Sequence, residues 1–324
     1  MKVLYVVGKG RSGSTLLDTV LGELDGFFAA GEVFYLWEMG VHHAYLCGCG
    51  RPVPQCELWS QVLRLTLTQV PDGRYEIEPS RVLSWYRDIF RWRKMPKLLR
   101  LPPARPSGWD SLDAYADVMS RVYAAIAKVT GARVVIDSSK WPTDPVLLGL
   151  VSGVDAYCLH LVRDPRAVVH SWKRLKALPE RGETAMMPRY SSAYSAVSWI
   201  ARNALVERVR RRLPSDRYLL VRYEDFAAEP RKWVEIIAGF VGESAGPSSL
   251  LEPLGQGRIL VGPNHTVAGN PARFTTGTLE LREDADWKRE LGRVDRGLST
   301  IISLPLLRRY GYQARSAFDH GGGT

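Results

Sequence analysis

Four short segments of the chain are almost continuously apolar and rich in β-branched or aromatic residues. They are residues 2–7, 133–136, 157–162 and 218–221. Apolar runs of this length are typical of parallel strands that are buried on both faces of a sheet. The pattern therefore predicts four buried parallel strands.

Helical periodicity fills the chain between these strands. Residues 111–129 repeat apolar positions at helical spacing, with Ser111 as a possible cap and Gly131 as the stop. Residues 80–105 form a second amphipathic segment that ends at prolines, and we place it outside the sheet as a cap. Alternating strands and helices predict an α/β fold, a parallel sheet flanked by helices, with a helical insertion at about 40–130.

The chain shows no internal repeat and no interdomain linker. The simplest organisation is one domain over residues 1–318, followed by a disordered tail at 319–324. Residues 178–192 carry turn formers and two adjacent methionines, Met186 and Met187, without any period. This composition is typical of a loop over a pocket, since methionine adapts to varied apolar partners.

Composition adds a preference for anions. The 324 residues include 44 Lys+Arg and 34 Asp+Glu, for a formal charge of +10. The sign alone does not distinguish nucleic acid, a membrane surface and a phosphorylated small molecule as the partner. With only four cysteines and no apolar stretch of the ~20 residues that a membrane span needs, we expect a cytoplasmic protein without stable membrane insertion.

The strongest local signal is the run at 8–17, Gly-Lys-Gly-Arg-Ser-Gly-Ser-Thr-Leu-Leu, directly after the first strand. A helix N-terminus preceded by glycines presents several N–H groups and binds phosphate, so the sheet is predicted to be P-loop-like. The spacing Gly8-x4-Gly13 matches a Walker A loop, but Ser14 stands where lysine is required. A glycine turn without a ligand is the plainer alternative.

Residues 11–17 resemble the 5′-phosphosulfate loop of sulfotransferases that use 3′-phosphoadenosine 5′-phosphosulfate (PAPS). Residues 161–171 resemble the 3′-phosphate motif of the same family, in which an arginine at a strand end, Arg163, is followed eight residues later by a serine, Ser171. A guanidinium fork suits a terminal phosphate. A surface turn that caps a helix is the alternative for Arg163.

Two further segments carry the resemblance, which spans residues 1–40 and 130–315. Residues 221–226 are similar to the family segment whose tyrosine, Tyr223, lies near the adenine, although a tyrosine that closes the sheet is an equal alternative. Residues 269–273 resemble a loop of bacterial members that covers the nucleotide, which implies a 3′-phosphate contact for Arg273. The resemblance thus implies these nucleotide-binding residues: Arg11, Ser12, Gly13, Ser14, Thr15, Arg163, Ser171, Tyr223 and Arg273.

Sulfuryl transfer, by analogy with phosphoryl transfer, needs positioning, charge stabilisation and a base, and it requires no metal. Resemblance to tyrosylprotein sulfotransferases implies Glu32 as the general base and Lys140 as a cation near the transferring group. Arg11 stands where other members stabilise the departing phosphate. The alternatives are a solvated Glu32, a surface Lys140, and His42 or His43 as the base.

The sequence thus predicts a PAPS-dependent sulfotransferase of class EC 2.8.2 that acts on a hydroxyl of a small-molecule or lipid-like natural product and releases 3′-phosphoadenosine 5′-phosphate (PAP). A P-loop kinase or nucleoside-triphosphate hydrolase is the alternative, since Asp137 follows a strand as a Walker B carboxylate does. A non-enzymatic anion or nucleic-acid binder is a third class. The basic aromatic run at 85–94 is better explained as a packed helix, so no nucleic-acid partner is expected.

Three cysteines cluster in the insertion. Cys47, Cys49 and Cys56, together with His42 or His43, reach by count the four ligands of a zinc site. Their spacing lacks the paired CxxC knuckles of common structural zinc sites. The sequence therefore predicts no metal, and cysteines that are buried or able to form a disulfide.

Overall fold

A sheet of five parallel strands lies at the centre of the fold. The computed structural model describes residues 1–68, 75–102, 106–178, 185–246 and 248–314. The strands follow the order β2-β3-β1-β4-β5 across the sheet, and every neighbouring pair is parallel. Their bounds are β1 Lys2–Gly8, β2 Phe27–Gly31, β3 Val134–Lys140, β4 Asp155–Val162 and β5 Tyr218–Arg222.

Helices cover both faces of this sheet. They are α1 Ser14–Gly22, α2 Glu57–Leu67, α3 Pro79–Ile89, α4 Met95–Leu98, α5 Asp110–Thr130, α6 Asp144–Leu148, α7 Pro165–Lys173, α8 Ser192–Arg210, α9 Tyr223–Ala228, α10 Pro230–Phe240, α11 Ser248–Gly255, α12 Trp287–Glu290 and α13 Arg293–Arg309. A small antiparallel pair, β6 Arg258–Val261 and β7 Gly277–Glu280, lies outside the main sheet. Among the described residues, no helix combines the length and apolar character needed to cross a bilayer.

The predicted α/β fold is confirmed, and the parallel sheet has one strand more than expected. The four apolar runs form β1, β3, β4 and β5, and the periodic segment 111–129 forms α5. The missed strand is β2, which pairs with β3 at the edge of the sheet. Its five residues include two alanines and a terminal glycine, so they lack the β-branched run that marks the other strands. The predicted tail at 319–324 lies outside the described residues.

The two faces of the sheet bury different sets of residues. Because side chains alternate along a strand, Tyr5 of β1 packs in a core cluster with the insertion helices, while Leu4 packs in another with α1. The expected cap is present in this arrangement, since α3 packs against α5 and buries Val82 and Ile89. The organisation into a single domain stays a prediction.

Candidate active site

The phosphate loop, residues 8–15, connects β1 to α1 and takes its shape from its glycines. Gly13 has a φ of 93°, and a Cβ there would lie 2.3 Å from the ring of Tyr223. Arg11 also occupies the left-handed region, at a φ of 74°. The helix begins at Ser14 without a side-chain cap hydrogen bond, so the N–H groups of its first turn are placed to meet an anion.

A second cradle forms where β4 ends. The Arg163 guanidinium lies over the ring of Tyr223, 4.5 Å from its centroid, and donates from Nη1 to the carbonyl oxygen of Arg11 at 3.2 Å. It also pairs with the Asp284 carboxylate at 3.1 Å. Ser171, two turns into α7, lines the same space. Arg163 and the phosphate loop are therefore in direct contact.

Both cradles open into one cavity of about 610 Å³ at the carboxyl edge of the sheet. Seven cationic side chains and two carboxylates line it, namely Lys9, Arg11, Lys140, Arg163, Lys176, Arg202 and Arg273 against Glu32 and Asp284. Buried donors of its lining residues remain without a hydrogen-bond partner among the described residues at Arg11 Nε and Nη1 and at Arg163 Nε. Since unsatisfied buried donors are costly, this cavity is suited to an anionic ligand that accepts from them.

Glu32 and Lys140 meet beside the phosphate loop. The Lys140 Nζ atom lies 2.5 Å from Glu32 Oε1, and it donates to Ser14 Oγ at 3.2 Å and to the Ser138 carbonyl oxygen at 2.8 Å. Lys140 ends β3 with a φ of 63°, and Glu32 directly follows β2. The ends of two neighbouring strands thus bring a carboxylate and an ammonium to the first turn of α1.

We call residues 264–274 the covering loop. It runs beside β2, where the Val267 N–H donates to the Ala30 carbonyl oxygen at 2.9 Å and the Glu32 N–H donates to the Val267 carbonyl oxygen at 2.8 Å. Arg273 is buried and donates to the carbonyl oxygens of Gly269 at 3.2 Å and Leu46 at 3.0 Å. The loop therefore closes one side of the cavity and also fixes the backbone at Glu32.

Residues 4–246, about three quarters of the chain, match the Sulfotransferase family. The chain belongs to the sulfotransferase family. The solved structures to which it is similar include a sulfotransferase domain from the curacin biosynthetic pathway, with 15% identity over 96% of this chain and 98% of that one and a TM-score of 0.50. This match supports the fold and, at such low identity, carries no information on the substrate.

Two further sulfotransferase structures match with slightly lower TM-scores. The sulfotransferase domain of the Synechococcus PCC 7002 olefin synthase shares 21% identity over 97% of this chain and 95% of that chain, with a TM-score of 0.49. The sulfotransferase STF9 from Mycobacterium avium shares 13% over 96% of this chain and 77% of that chain, with a TM-score of 0.48.

The sulfotransferase fold brings nearly all of the predicted site residues to the one cavity. The residues that line it are Arg11, Gly13, Ser14, Thr15, Glu32, Lys140, Arg163, Ser171, Tyr223 and Arg273. Ser12 is buried in the phosphate loop without lining the cavity. The rival bases His42 and His43 are not among its lining residues, and their rings pack against each other at 4.8 Å. This geometry favours Glu32 over either histidine.

Asp137, the candidate Walker B carboxylate, faces away from the phosphate loop. It accepts hydrogen bonds from the Tyr123 hydroxyl of α5 at 2.7 Å and from the Ser139 N–H at 3.0 Å. The next residue, Ser138, faces the other side of the sheet and donates to Asp18 of α1. Burial raises the pKa of Asp137 to about 6. The observation that favoured a nucleoside triphosphatase is therefore removed.

Sequence reasoning missed several residues of the site. Lys9 and Arg11 both lie over the ring of Trp172, with centroid distances of 5.1 and 4.9 Å, and burial together with the charge of Arg202 lowers the pKa of Lys9 to about 8. Lys9 lies within the glycine-rich phosphate loop, so its position in the sequence could have identified it as a site residue. Asp284 comes from a segment 121 residues beyond Arg163, so no local pattern identifies it.

One wall of the cavity is apolar and aromatic. It is lined by Tyr35, Met39, Tyr45, Met187, Pro188, Tyr190 and Tyr194. Tyr35 and Met39 lie just before the predicted insertion, and Tyr45 lies at its start. The other four belong to the segment around the paired methionines. Met187 contacts Arg11, with the sulfur 2.8 Å from Nη2, while Met186 is 53% exposed and does not line the cavity. Part of the predicted loop at 178–192 lies outside the described residues.

Proposed function

We propose that this chain is a PAPS-dependent sulfotransferase of class EC 2.8.2, which moves a sulfuryl group to a hydroxyl of a small-molecule or lipid-like natural product. The observation that carries the proposal is that the phosphate loop and Arg163 touch and open into one cavity. A single nucleotide can therefore contact both cradles at once, as binding by its 5′ and 3′ phosphates requires.

The nucleotide would be held by residues of both cradles. Arg163 and Ser171 suit the 3′-phosphate, and the first turn of α1 with Ser14 and Thr15 suits the 5′ end. The unpartnered buried donors of Arg11 and Arg163 support this assignment, since an anion would satisfy them. These donors fit the phosphate groups of PAPS without a metal ion.

Three side chains would support the chemistry. PAPS supplies a sulfuryl group bonded to a phosphate oxygen; the acceptor oxygen forms a bond to sulfur as that bond breaks. Glu32 would take the hydroxyl proton, while Lys140, at 2.5 Å, holds the carboxylate in position and Arg11 stabilises charge on the departing phosphate. Proton, sulfuryl group and leaving phosphate are thus each accounted for.

The apolar wall supports the choice of acceptor. Tyr35, Met39, Tyr45, Met187 and Tyr190 offer apolar and aromatic surface in the cavity that Glu32 also lines. Such a lining suits a hydrophobic alcohol or phenol better than a highly charged glycan. We also infer a cytoplasmic location, because the four cysteines are unpaired, which suits a reducing compartment.

Calorimetry with PAP tests the proposal. We expect PAP to bind without added magnesium, and we expect Arg163→Ala to weaken it while Arg231→Ala, on the exposed side of α10, leaves it unchanged. Transfer from radiolabelled PAPS to a panel of alcohols and phenols should then identify acceptors. Tight ATP binding that requires magnesium, without PAP binding, would overturn the proposal in favour of the kinase alternative.

A further inference from the structure

Three cysteines of the insertion meet a histidine of the covering loop. The Sγ atoms of Cys47 and Cys56 lie 3.7 and 3.2 Å from Nδ1 of His265. With Cys49, the four ligand atoms all lie within 4.8 Å of one another. None of these residues lines the cavity described above.

The spacing of these atoms fits a tetrahedral metal ion. Zinc bonds of about 2.3 Å to sulfur and about 2.0 Å to nitrogen place a sulfur and a nitrogen ligand about 3.5 Å apart in a tetrahedron. The observed sulfur–nitrogen separations of 3.2 and 3.7 Å lie on either side of that value. We propose that Cys47, Cys49, Cys56 and His265 bind one zinc ion in a closed structural site.

Backbone contacts already hold the first two ligands in place. The Gly50 N–H donates to the Cys47 carbonyl oxygen at 2.9 Å, which folds the Cys-Gly-Cys-Gly segment into a tight turn, and Gly50 has a φ of 83°. A Cβ at Gly48 would lie 2.0 Å from Asn264 Oδ1, so only glycine lets this turn approach the covering loop. The two thiols of the turn are thus presented together toward His265.

The other two ligands are held by α2. Cys56 is the residue immediately before this helix, so the start of the helix fixes its backbone position. Trp59, in the first turn of α2, donates from Nε1 to the His265 carbonyl oxygen at 2.7 Å. The set therefore has four protein donors of the types that zinc prefers, and neighbouring hydrogen bonds hold the segments that carry them.

This donor set differs from the one that the sequence suggests. His42 and His43, the histidines nearest to the cysteines in sequence, do not belong to the cluster. The fourth donor is His265, 209 residues after Cys56. A fourth ligand at that distance along the chain cannot be found from cysteine spacing, which is why the pattern did not resemble a standard zinc motif.

The zinc ion would join two parts of the chain that are far apart in sequence. Cys47, Cys49 and Cys56 belong to the start of the insertion, whereas His265 lies in the covering loop, two residues before Val267. Val267 in turn contacts the backbone of Glu32. We therefore assign the ion a structural role, in which it fixes the covering loop against the insertion and has no open position for substrate.

Metal analysis of the purified wild-type chain tests the site. We expect one zinc per chain, and cobalt substitution should give the visible absorption of a tetrahedral cobalt–thiolate centre. His265→Ala and Cys49→Ser should lose stoichiometric metal and unfold at a lower temperature. Cys158→Ala should retain the metal, because Cys158 is a buried cysteine in β4 outside the cluster.

Two results would overturn the site. One is a wild-type chain that holds no zinc after growth with added zinc and binds none in an anaerobic titration. The other is a disulfide among Cys47, Cys49 and Cys56, found by thiol counting and mass spectrometry in protein purified without oxidation. If the variants do not fold, the wild-type cobalt spectrum still decides the question. PAP calorimetry remains separate, so failure here leaves the proposed function intact.

Discussion

The carboxyl edge of the parallel sheet and the covering loop contribute to the same cavity in different ways. At the sheet edge, Lys140 and Arg163 end or follow strands whose parallel register with β1 fixes where they lie. The covering loop is held by separate bonds to distant segments, such as the bond from Arg273 to Leu46, 227 residues away. Strand register thus positions one half of the cavity collectively, while the other half depends on a few individual contacts.

Glu32 lies where the two regions meet, and its removal should have the largest effect. A positioned general base contributes about 10²–10⁴-fold to a rate, so Glu32→Gln should lower kcat by that factor. PAP affinity should be unchanged, because Arg163 and the phosphate loop remain. Glu38→Gln is the matched control, since Glu38 pairs with Arg87 and does not line the cavity. Turnover equal to wild type in Glu32→Gln would exclude Glu32 as the base.

Arg163 and Arg273 give the most direct comparison of the two regions, because both were predicted to contact the 3′-phosphate. Removing a charged hydrogen-bonding partner of the phosphate should weaken PAP about 10- to 100-fold in Arg163→Ala, with a much smaller effect on AMP, which lacks that phosphate. Arg273 donates to two backbone carbonyls. Arg273→Ala should therefore lower the free energy of unfolding by about 1–3 kcal/mol.

Binding of PAP compared with binding of AMP distinguishes the two roles of Arg273. If it only secures the covering loop, its loss should weaken PAP and AMP to a similar and small degree. A loss of affinity confined to PAP would instead establish the contact with the 3′-phosphate that the sequence resemblance implies. Calorimetry with both nucleotides, alongside chemical denaturation, gives all the measurements required.

The smallest expected effect concerns pH. Burial and Arg202 lower the pKa of Lys9 to about 8, so its ammonium is present below that pH and lost above it. Because anion binding favours the charged form, PAP affinity should fall as pH rises through about 8, by less than about tenfold. Lys9→Arg keeps its charge over this range and should flatten the profile. An unchanged slope in that variant would assign the titration to another group.

The sequence predicted what strand ends and local motifs determine. The phosphate loop and the pair Arg163 and Ser171 could be located because glycine spacing and strand–helix boundaries encode their backbone geometry. The edge strand β2 was missed because its alanines and glycine carry little strand signal. Asp284 and His265 reach their partners only through the tertiary fold, so no pattern within the sequence pairs them with Arg163 or with the cysteines.

The two hydrogen bonds between Val267 and the backbone on either side of Gly31 have a consequence for how the protein folds. Contacts between residues so far apart in sequence close slowly, since a long stretch of chain must first be ordered. During synthesis the amino-terminal strands emerge long before residue 267 does. We therefore expect nascent chains to gain the ability to anchor a nucleotide before they gain a fixed Glu32, so that competence for turnover comes last.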